Sequence, residues 1–335
     1  MILRAPLAAT LFTFTTLVAG CGKKEAAPPT AAPATAPAPT TDAAPTEAER
    51  VAAAIARNEE ADAKERARWT PELETAALQL AERRWKDTTE ALTTILASPH
   101  REPGNAERDA WRHPLETLTF FGVTPTSTVI EVGAGGGWYT ELLAPLLAAQ
   151  GGYGVAGPDA GGPMDKMATA YGKSLDAFLA KSKLFAKVTR ATVAAPPFTL
   201  GPPGLASHVL AIREMHNWQR RGTLDAYLAA IHDALAESGT FGLVAHRSKP
   251  GSKGEDTADS GYLAEAWVIA RVEAAGFKLV ASSEVNANPS DSKDYPKGVW
   301  TLPPNFAEGE ATKARYAGIG ESDRMTLKFT KVARP

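Results

Sequence analysis

The chain of 335 residues has a single cysteine, Cys21. That excludes an intrachain disulfide framework, a thiolate zinc cage and a Cys-x-x-Cys redox pair. Neither sign of charge is in excess: 36 Lys and Arg stand against 38 Asp and Glu, a formal net charge of −2. No basic face of the kind that tracks nucleic acid is implied, so no nucleic-acid partner is expected. The six histidines, His100, His113, His208, His216, His232 and His246, nowhere fall in H-x-x-x-H or H-E-x-x-H spacing, and no metal is expected. There is no G-x-S-x-G elbow, which argues against an α/β-hydrolase. Internal repeats are absent. What is present is 44% hydrophobic, enough for a large core, in a chain about twice the ~150 residues expected of one domain.

The N-terminus reads as an address. Met1–Arg4 carries one positive side chain, and Ala5–Val18 is apolar or neutral, too short for a ~30 Å hydrocarbon core but suited to a signal-peptide centre. Leu17-Val18-Ala19-Gly20-Cys21 resembles the bacterial lipoprotein box. That resemblance implies removal of residues 1–20, lipidation of Cys21 and attachment to a membrane through it. The alternative is a plain secretory signal with an incidental Cys. Gly22 rather than Asp after the Cys implies, by resemblance to the usual sorting rule, the outer membrane of the cell envelope, facing the periplasm. Acyl chains on Cys21 suffice for stable anchoring. Residues 26–45 contain nine Ala, six Pro and four Thr. Such a segment buries too little apolar area to fold. Its prolines keep it extended at roughly 3.1 Å per residue, so residues 21–46 read as a tether.

Thr46-Glu47-Ala48-Glu49 has the capping-box pattern and opens an Ala-rich helix to about Arg68. Thr70-Pro71-Glu72 starts another, with an apolar face running through Leu73, Ala77, Trp85, Leu92 and Ile95 to Pro99. Asn105–Phe121 reads as a further helix. Residues 47–122 thus read as an N-terminal helical segment that leads into the main domain, 123–335. In that domain, strand patterns (128–132, 153–156, 186–193, 208–212, 240–245, 277–285, 325–332) alternate with helical ones (139–149, 164–181, 224–235, 262–275). This spells an α/β fold: a doubly wound sheet of about seven strands with helices on both faces. The last two strands are joined by about forty residues without a clear helix, so the final strand is expected to be antiparallel.

Val129-Ile130-Glu131-Val132-Gly133-Ala134-Gly135-Gly136-Gly137-Trp138-Tyr139 feeds a strand through a glycine turn into a helix. Glycines there let a ligand lie against backbone amides at the helix N-terminus. The dinucleotide pattern G-x-G-x-x-G fails, because its third glycine falls on Trp138. The pattern acid-x-Gly-x-Gly-x-Gly instead resembles motif I of class I S-adenosylmethionine-dependent methyltransferases, with their Rossmann-like sheet. Further segments (His113-Pro114-Leu115-Glu116-Thr117, Phe120-Phe121-Gly122, His216-Asn217-Trp218, Gly298-Val299-Trp300-Thr301-Leu302-Pro303-Pro304 and Gly320-Glu321-Ser322-Asp323-Arg324-Met325) extend it over roughly residues 92–332. They are similar to a subfamily of predicted bacterial methyltransferases, several of them exported. The resemblance implies S-adenosylmethionine as cofactor. Glu131 would hold the loop and the ligand's amino-acid end, and Gly133, Gly135 and Gly137 would lie under its methionine and ribose.

The sequence departs from that pattern. The ribose-binding acid expected at the end of the second strand has only Asp159 near it, and it comes late. The third strand runs into Thr192-Val193-Ala194-Ala195-Pro196 with no acid for the adenine. Ligands of doubly wound sheets sit beyond the carboxyl ends of the strands. There the candidates are Glu214, His216 and His246 for substrate orientation or proton transfer, and Asn217, Trp218, Asn286, Asn288, Trp300 and Arg324 for substrate binding. The long connection before the last strand is expected to pass over the cleft with Trp300 inward. The expected function is methyl transfer to a small molecule. The alternative is a non-catalytic, lipid-anchored binding module on the same fold.

Overall fold

The computed structural model describes residues 45–253 and 257–334. The signal segment, Cys21 and nearly all of the Ala/Pro/Thr tether lie outside the described residues.

α1 (Glu47–Arg68) opens on the expected capping box: Glu49 N–H donates to Thr46 Oγ1 at 3.2 Å, and Thr46 N–H donates to the Glu49 carboxylate at 2.7 Å. The helix expected to continue from Pro71 to Pro99 is two helices, α2 (Pro71–Glu82) and α3 (Thr88–Leu96). Between them Trp85 turns inward, 3% exposed, and donates through Nε1 to Pro145 O at 3.1 Å. Asp87 then caps α3 by accepting Glu90 N–H at 2.9 Å. The helix expected over 105–121 is also split, into α4 (Asp109–Arg112) and α5 (Pro114–Phe121). Pro114 disfavours helical backbone in the residue before it, and His113 takes a left-handed φ of 40°.

Beyond Gly122 come β1 (Thr128–Val132), α6 (Thr140–Leu147), β2 (Gly152–Gly157), α7 (Met167–Ala180), β3 (Thr189–Thr192), β4 (Ala206–Ile212), α8 (Met215–Arg220), α9 (Leu224–Ala234), β5 (Leu235–His246), α10 (Glu265–Ala274), β6 (Phe277–Ser283), α11 (Glu310–Ala317) and β7 (Arg324–Lys331). The strands form one seven-stranded sheet in the order β3-β2-β1-β4-β5-β7-β6. All run parallel except β7, which pairs antiparallel with both β5 and β6. This is the expected α/β, doubly wound, Rossmann-like architecture with N-terminal helices.

Alternate residues of each strand feed alternate cores. On one face Val129 packs with Leu142 and Leu146 of α6 and with Trp85, Leu92 and Ile95 of the N-terminal segment. On the other, Ile130 and Val132 pack with Leu228, Ile231 and Val268 of α9 and α10. Residues 71–121 therefore share the core of the sheet. α1 lies on α7, where the buried Lys181 ammonium stands 3.1 Å from Glu65 and 3.6 Å from Glu141. No described helix is long and apolar enough to cross a membrane.

Parallel strands β1, β2, β4 and β5 deliver Gly133, Pro158, Arg213 and Arg247 to one edge. β7 starts at that edge, because Arg324 pairs with His246. The connection from Glu284 to Asp323 must cross there. It is built of a short 3-10 turn (Gly298–Thr301) and α11, a helix the sequence reading lacked.

Candidate active site

β1 runs into the glycine loop, and Gly133 N–H donates to Ala156 O at 2.9 Å, tying the loop to β2. Gly133, Gly135 and Gly137 have φ of 75°, 56° and 79°, a backbone that side chains rarely tolerate. Their surroundings differ. A Cβ on Gly133 would stand 2.4 Å from Glu214 Cγ, and one on Gly137 2.3 Å from the Phe178 ring. A Cβ on Gly135 or Gly136 would meet nothing within 4 Å, so that stretch of backbone is open to the cleft. Glu131 braces the loop from the α6 side: its Oε2 accepts from Thr140 Oγ1 at 3.2 Å and from the Tyr153 hydroxyl. Burial pushes the Glu131 carboxyl up to about 7 against these hydrogen bonds.

Three adjoining cavities, of about 190, 160 and 430 Å³, lie along this edge, and Glu214 lines all of them. Its position follows from Arg213, a non-glycine residue at φ 62° immediately after β4. That turn brings the Glu214 side chain against Gly133. Among the described residues its side-chain partner is Asn217 Nδ2, which donates at 3.4 Å. Burial pushes the Glu214 carboxyl up to about 7; Asn217, Arg221 and Arg213 pull the other way.

α8 follows at once. It carries His216 and Asn217 to the cavity wall. The His216 ring lies 5.4 Å from that of His246 and 5.7 Å from Trp300, centroid to centroid. His246 Nδ1 is hydrogen-bonded to Ser322 Oγ at 2.5 Å. Burial lowers both imidazoles, His216 to about 4 with help from Arg220, Arg213 and Arg221. Both are neutral near pH 7. Trp300 is half-buried, lines the two larger-lying cavities beside His216 and the glycine loop, and has the Arg220 guanidinium 5.5 Å over its ring. The crossing connection thus covers the cleft as expected.

Several candidates lie elsewhere. Trp218, on the opposite side of α8, is 1% exposed and stacks on Tyr227 at 4.5 Å within the core. Asn286 Nδ2 donates to Thr117 Oγ1 at 3.0 Å and Thr326 Oγ1 at 2.9 Å. Asn288 Nδ2 donates to Ile319 O at 2.8 Å and Glu321 O at 2.7 Å. Both amides fasten the crossing segment and are used up inside the protein. Arg324 is 2% exposed and donates to Glu321, to Ser322 O and to Trp111 O. Asp159 accepts Gly161 N–H at 2.9 Å and is not on the cavity wall, which at that end is made by Gly157, Pro158, Met167 and Tyr171 facing Arg220 and Arg221.

Sequence reasoning passed over Arg108, Arg112 and Arg213, which line the two smaller cavities, and Glu321, which joins them in the one beside His216. Arg213 stands beside Glu214 and Arg112 beside the His113-Pro114 segment, so adjacency to quoted motifs was the available signal. Among the described residues no cluster of three or more His, Cys, Asp and Glu is arranged to hold a metal.

No family model matches this chain, and no curated protein matches it. Solved structures do. A SAM-dependent methyltransferase from Aquifex aeolicus superposes with a TM-score of 0.42 at 14% identity, covering 69% of this chain and 94% of that one. The 1,6-didemethyltoxoflavin-N1-methyltransferase of Burkholderia thailandensis, with 1,6-didemethyltoxoflavin and S-adenosylhomocysteine bound, gives 0.38 at 16% identity, covering 68% and 80%. The N-methyltransferase NodS of Bradyrhizobium japonicum gives 0.42 at 11% identity, covering 70% and 100%.

Proposed function

We propose that this protein is an S-adenosylmethionine-dependent methyltransferase acting on a small molecule. The observation that carries the reading is the open backbone at Gly135–Gly136, set between buried Glu131 and half-buried Glu214 at the head of a doubly wound sheet. The residues present fit the cofactor at that end: Gly133–Gly136 offer amides and space, and Arg108, Arg112 and Asn105 close the cavity. Gly157, Pro158, Tyr171 and Leu175 form an apolar wall for a nucleoside. When bound, the cofactor supplies an electrophilic methyl group on a sulfonium. The chain's own part is alignment and proton removal. Neutral His216 and His246, and Glu214 with its carboxyl near half-ionised at pH 7, are groups able to accept a proton from an acceptor O–H or N–H. Positioning the acceptor against the cofactor would supply a large part of the rate. Trp300 and Asn217 bound the acceptor's space.

One observation favours the second reading, a binding module without transfer. Among the described residues Glu214 is the one carboxylate on the wall of the larger cavity, and Arg220 and Arg221 stand there instead of ribose- or adenine-binding acids. Calorimetry separates the two. Binding of S-adenosylmethionine and S-adenosylhomocysteine by the mature chain, lost in Gly135→Val, supports the enzyme. No heat with either ligand at millimolar concentration rejects it.

The proposal includes anchoring at a lipidated Cys21 in the cell envelope, on the periplasmic side of the outer membrane. It is supported by the placement of the chain's single cysteine at the end of Leu17-Val18-Ala19-Gly20.

A further inference from the structure

The cavity beside His216 and His246 is electrically lopsided. Arg108, Arg112 and Arg213 line it, and Arg324 stands behind. All four guanidinium groups converge on one carboxylate: Glu321 lies 3.1 Å from Arg108, 3.0 Å from Arg112, 3.3 Å from Arg213 and 3.0 Å from Arg324. The two imidazoles are neutral, and the other carboxyl on the wall, Glu214, is held toward its neutral form by burial. Two carboxyl groups at most, Glu214 and Glu321, therefore face four guanidinium groups.

Arg112 is the sharpest case. It is 2% exposed, and its Nη1 and Nη2 have no hydrogen-bond partner among the described residues. The Trp138 ring covers it at 4.7 Å, a cation–π contact that offsets part of the burial but accepts no hydrogen bond. Its Nε is paired with Glu321, but a guanidinium is a fork of donors matched to a carboxylate or phosphate, and leaving its two terminal nitrogens buried without an acceptor is costly. Arg213 is kept on a left-handed backbone to reach the same spot, local strain of the kind that collects at binding sites.

We propose that this cavity receives an oxyanion, a carboxylate or phosphate, of the methyl-accepting substrate on the fork formed by Arg108, Arg112 and Arg213, with Glu321 holding the three guanidinium groups together. The substrate class is thus a small anionic molecule. This rests on the reading in which the cofactor fills the glycine-loop side. The same arginines also border that side, so the rival source of the anion is the cofactor's own carboxylate.

The test is calorimetric titration of the full mature chain in detergent with inorganic phosphate and with succinate, at constant ionic strength, with and without saturating S-adenosylhomocysteine. The expected result is one anion per chain, bound with the thioether present. Arg112→Gln and Arg213→Asn are each expected to weaken it about ten-fold or more. Asn tolerates left-handed backbone, so Arg213→Asn keeps the test informative if Arg112→Gln fails to fold. Anion binding abolished by S-adenosylhomocysteine overturns the proposal in favour of the cofactor's carboxylate, and no anion binding in either state overturns it outright. Phosphate binding that responds to both variants in a chain that ignores S-adenosylhomocysteine supports the oxyanion site and rejects methyl transfer.

Discussion

Gly133 and Gly135 lie two residues apart on the same loop, yet alanine is expected to act differently at each. Both have left-handed backbone, so any side chain costs roughly 1–2 kcal/mol at either position. At Gly135 that is the whole cost, because the new Cβ enters open cleft. At Gly133 the Cβ would stand 2.4 Å from Glu214 Cγ and 2.6 Å from Cδ. Glu214 must be displaced from the loop, an overpacking cost of about 1–3 kcal/mol in addition. For a body of this size each kcal/mol corresponds to about 2–4 °C or less in melting temperature. Gly133→Ala is therefore expected to melt about twice as far below wild type as Gly135→Ala. Gly135→Ala, and more so Gly135→Val, is expected to lose affinity for S-adenosylhomocysteine while staying folded, because the added carbon occupies ligand space. Thermal melts and calorimetry on the same preparations measure both quantities. Equal melting losses for the two alanine variants, or undiminished affinity in Gly135→Val, refutes the division of the loop into a packed and an open part.

Glu214 has its carboxyl raised from 4.5 to about 7, so the folded chain holds a proton that the unfolded chain releases. Its contribution is fully present below about pH 4.5 and is lost as pH rises through 7. Glu214→Gln is expected to melt above wild type at pH 8, with the gap closing toward pH 5; a gap that is constant with pH contradicts the shift. Trp85→Ala removes a buried indole and its bond to Pro145, and is expected to cost about 3–5 kcal/mol by chemical denaturation, in one transition with the sheet. Two separate transitions would show that the N-terminal helices fold as their own domain. Cys21→Ser is expected to move the protein from the membrane to the soluble fraction; a variant that survives a carbonate wash on the membrane contradicts lipid anchoring.

The glycine loop was legible because its signals are local. A β-branched run precedes it, and glycine falls at each of the three left-handed positions 133, 135 and 137. The antiparallel last strand was also anticipated, although the connection before it does contain α11. That helix escaped notice because of its eight residues only Tyr316 is buried, leaving no apolar period to read. Strand ends place Glu214, His216, Asn217, His246 and Trp300 at one edge, and the structure gathers these five around one cleft. The direction in which a side chain leaves that edge is another matter. On α8 each residue turns about 100° from the last, so His216 and Asn217 face the cavity while Trp218 enters the core. Asn286 and Asn288 reach the right edge but are consumed by hydrogen bonds to α5, β7 and the residues around Ile319, partners that no local pattern names. The arginine fork was hidden for the same reason at longer range.

Arg108 and Arg112 meet Glu321 across 213 and 209 residues of chain. Contacts of such separation are the last to repay the entropy of closing their loops. A growing or refolding chain can complete β1 to β5 and the glycine loop while Glu321 is still unplaced. Until Glu321 arrives, Arg108, Arg112 and Arg213 lack the carboxylate that they share in the fold. β7 must pair with β5 before Glu321, three residues ahead of it, can draw them together. The wall of this cavity is therefore complete only with the C-terminal strand in place, and a chain cut short of Glu321 would carry the glycine loop without the carboxylate that joins the arginines.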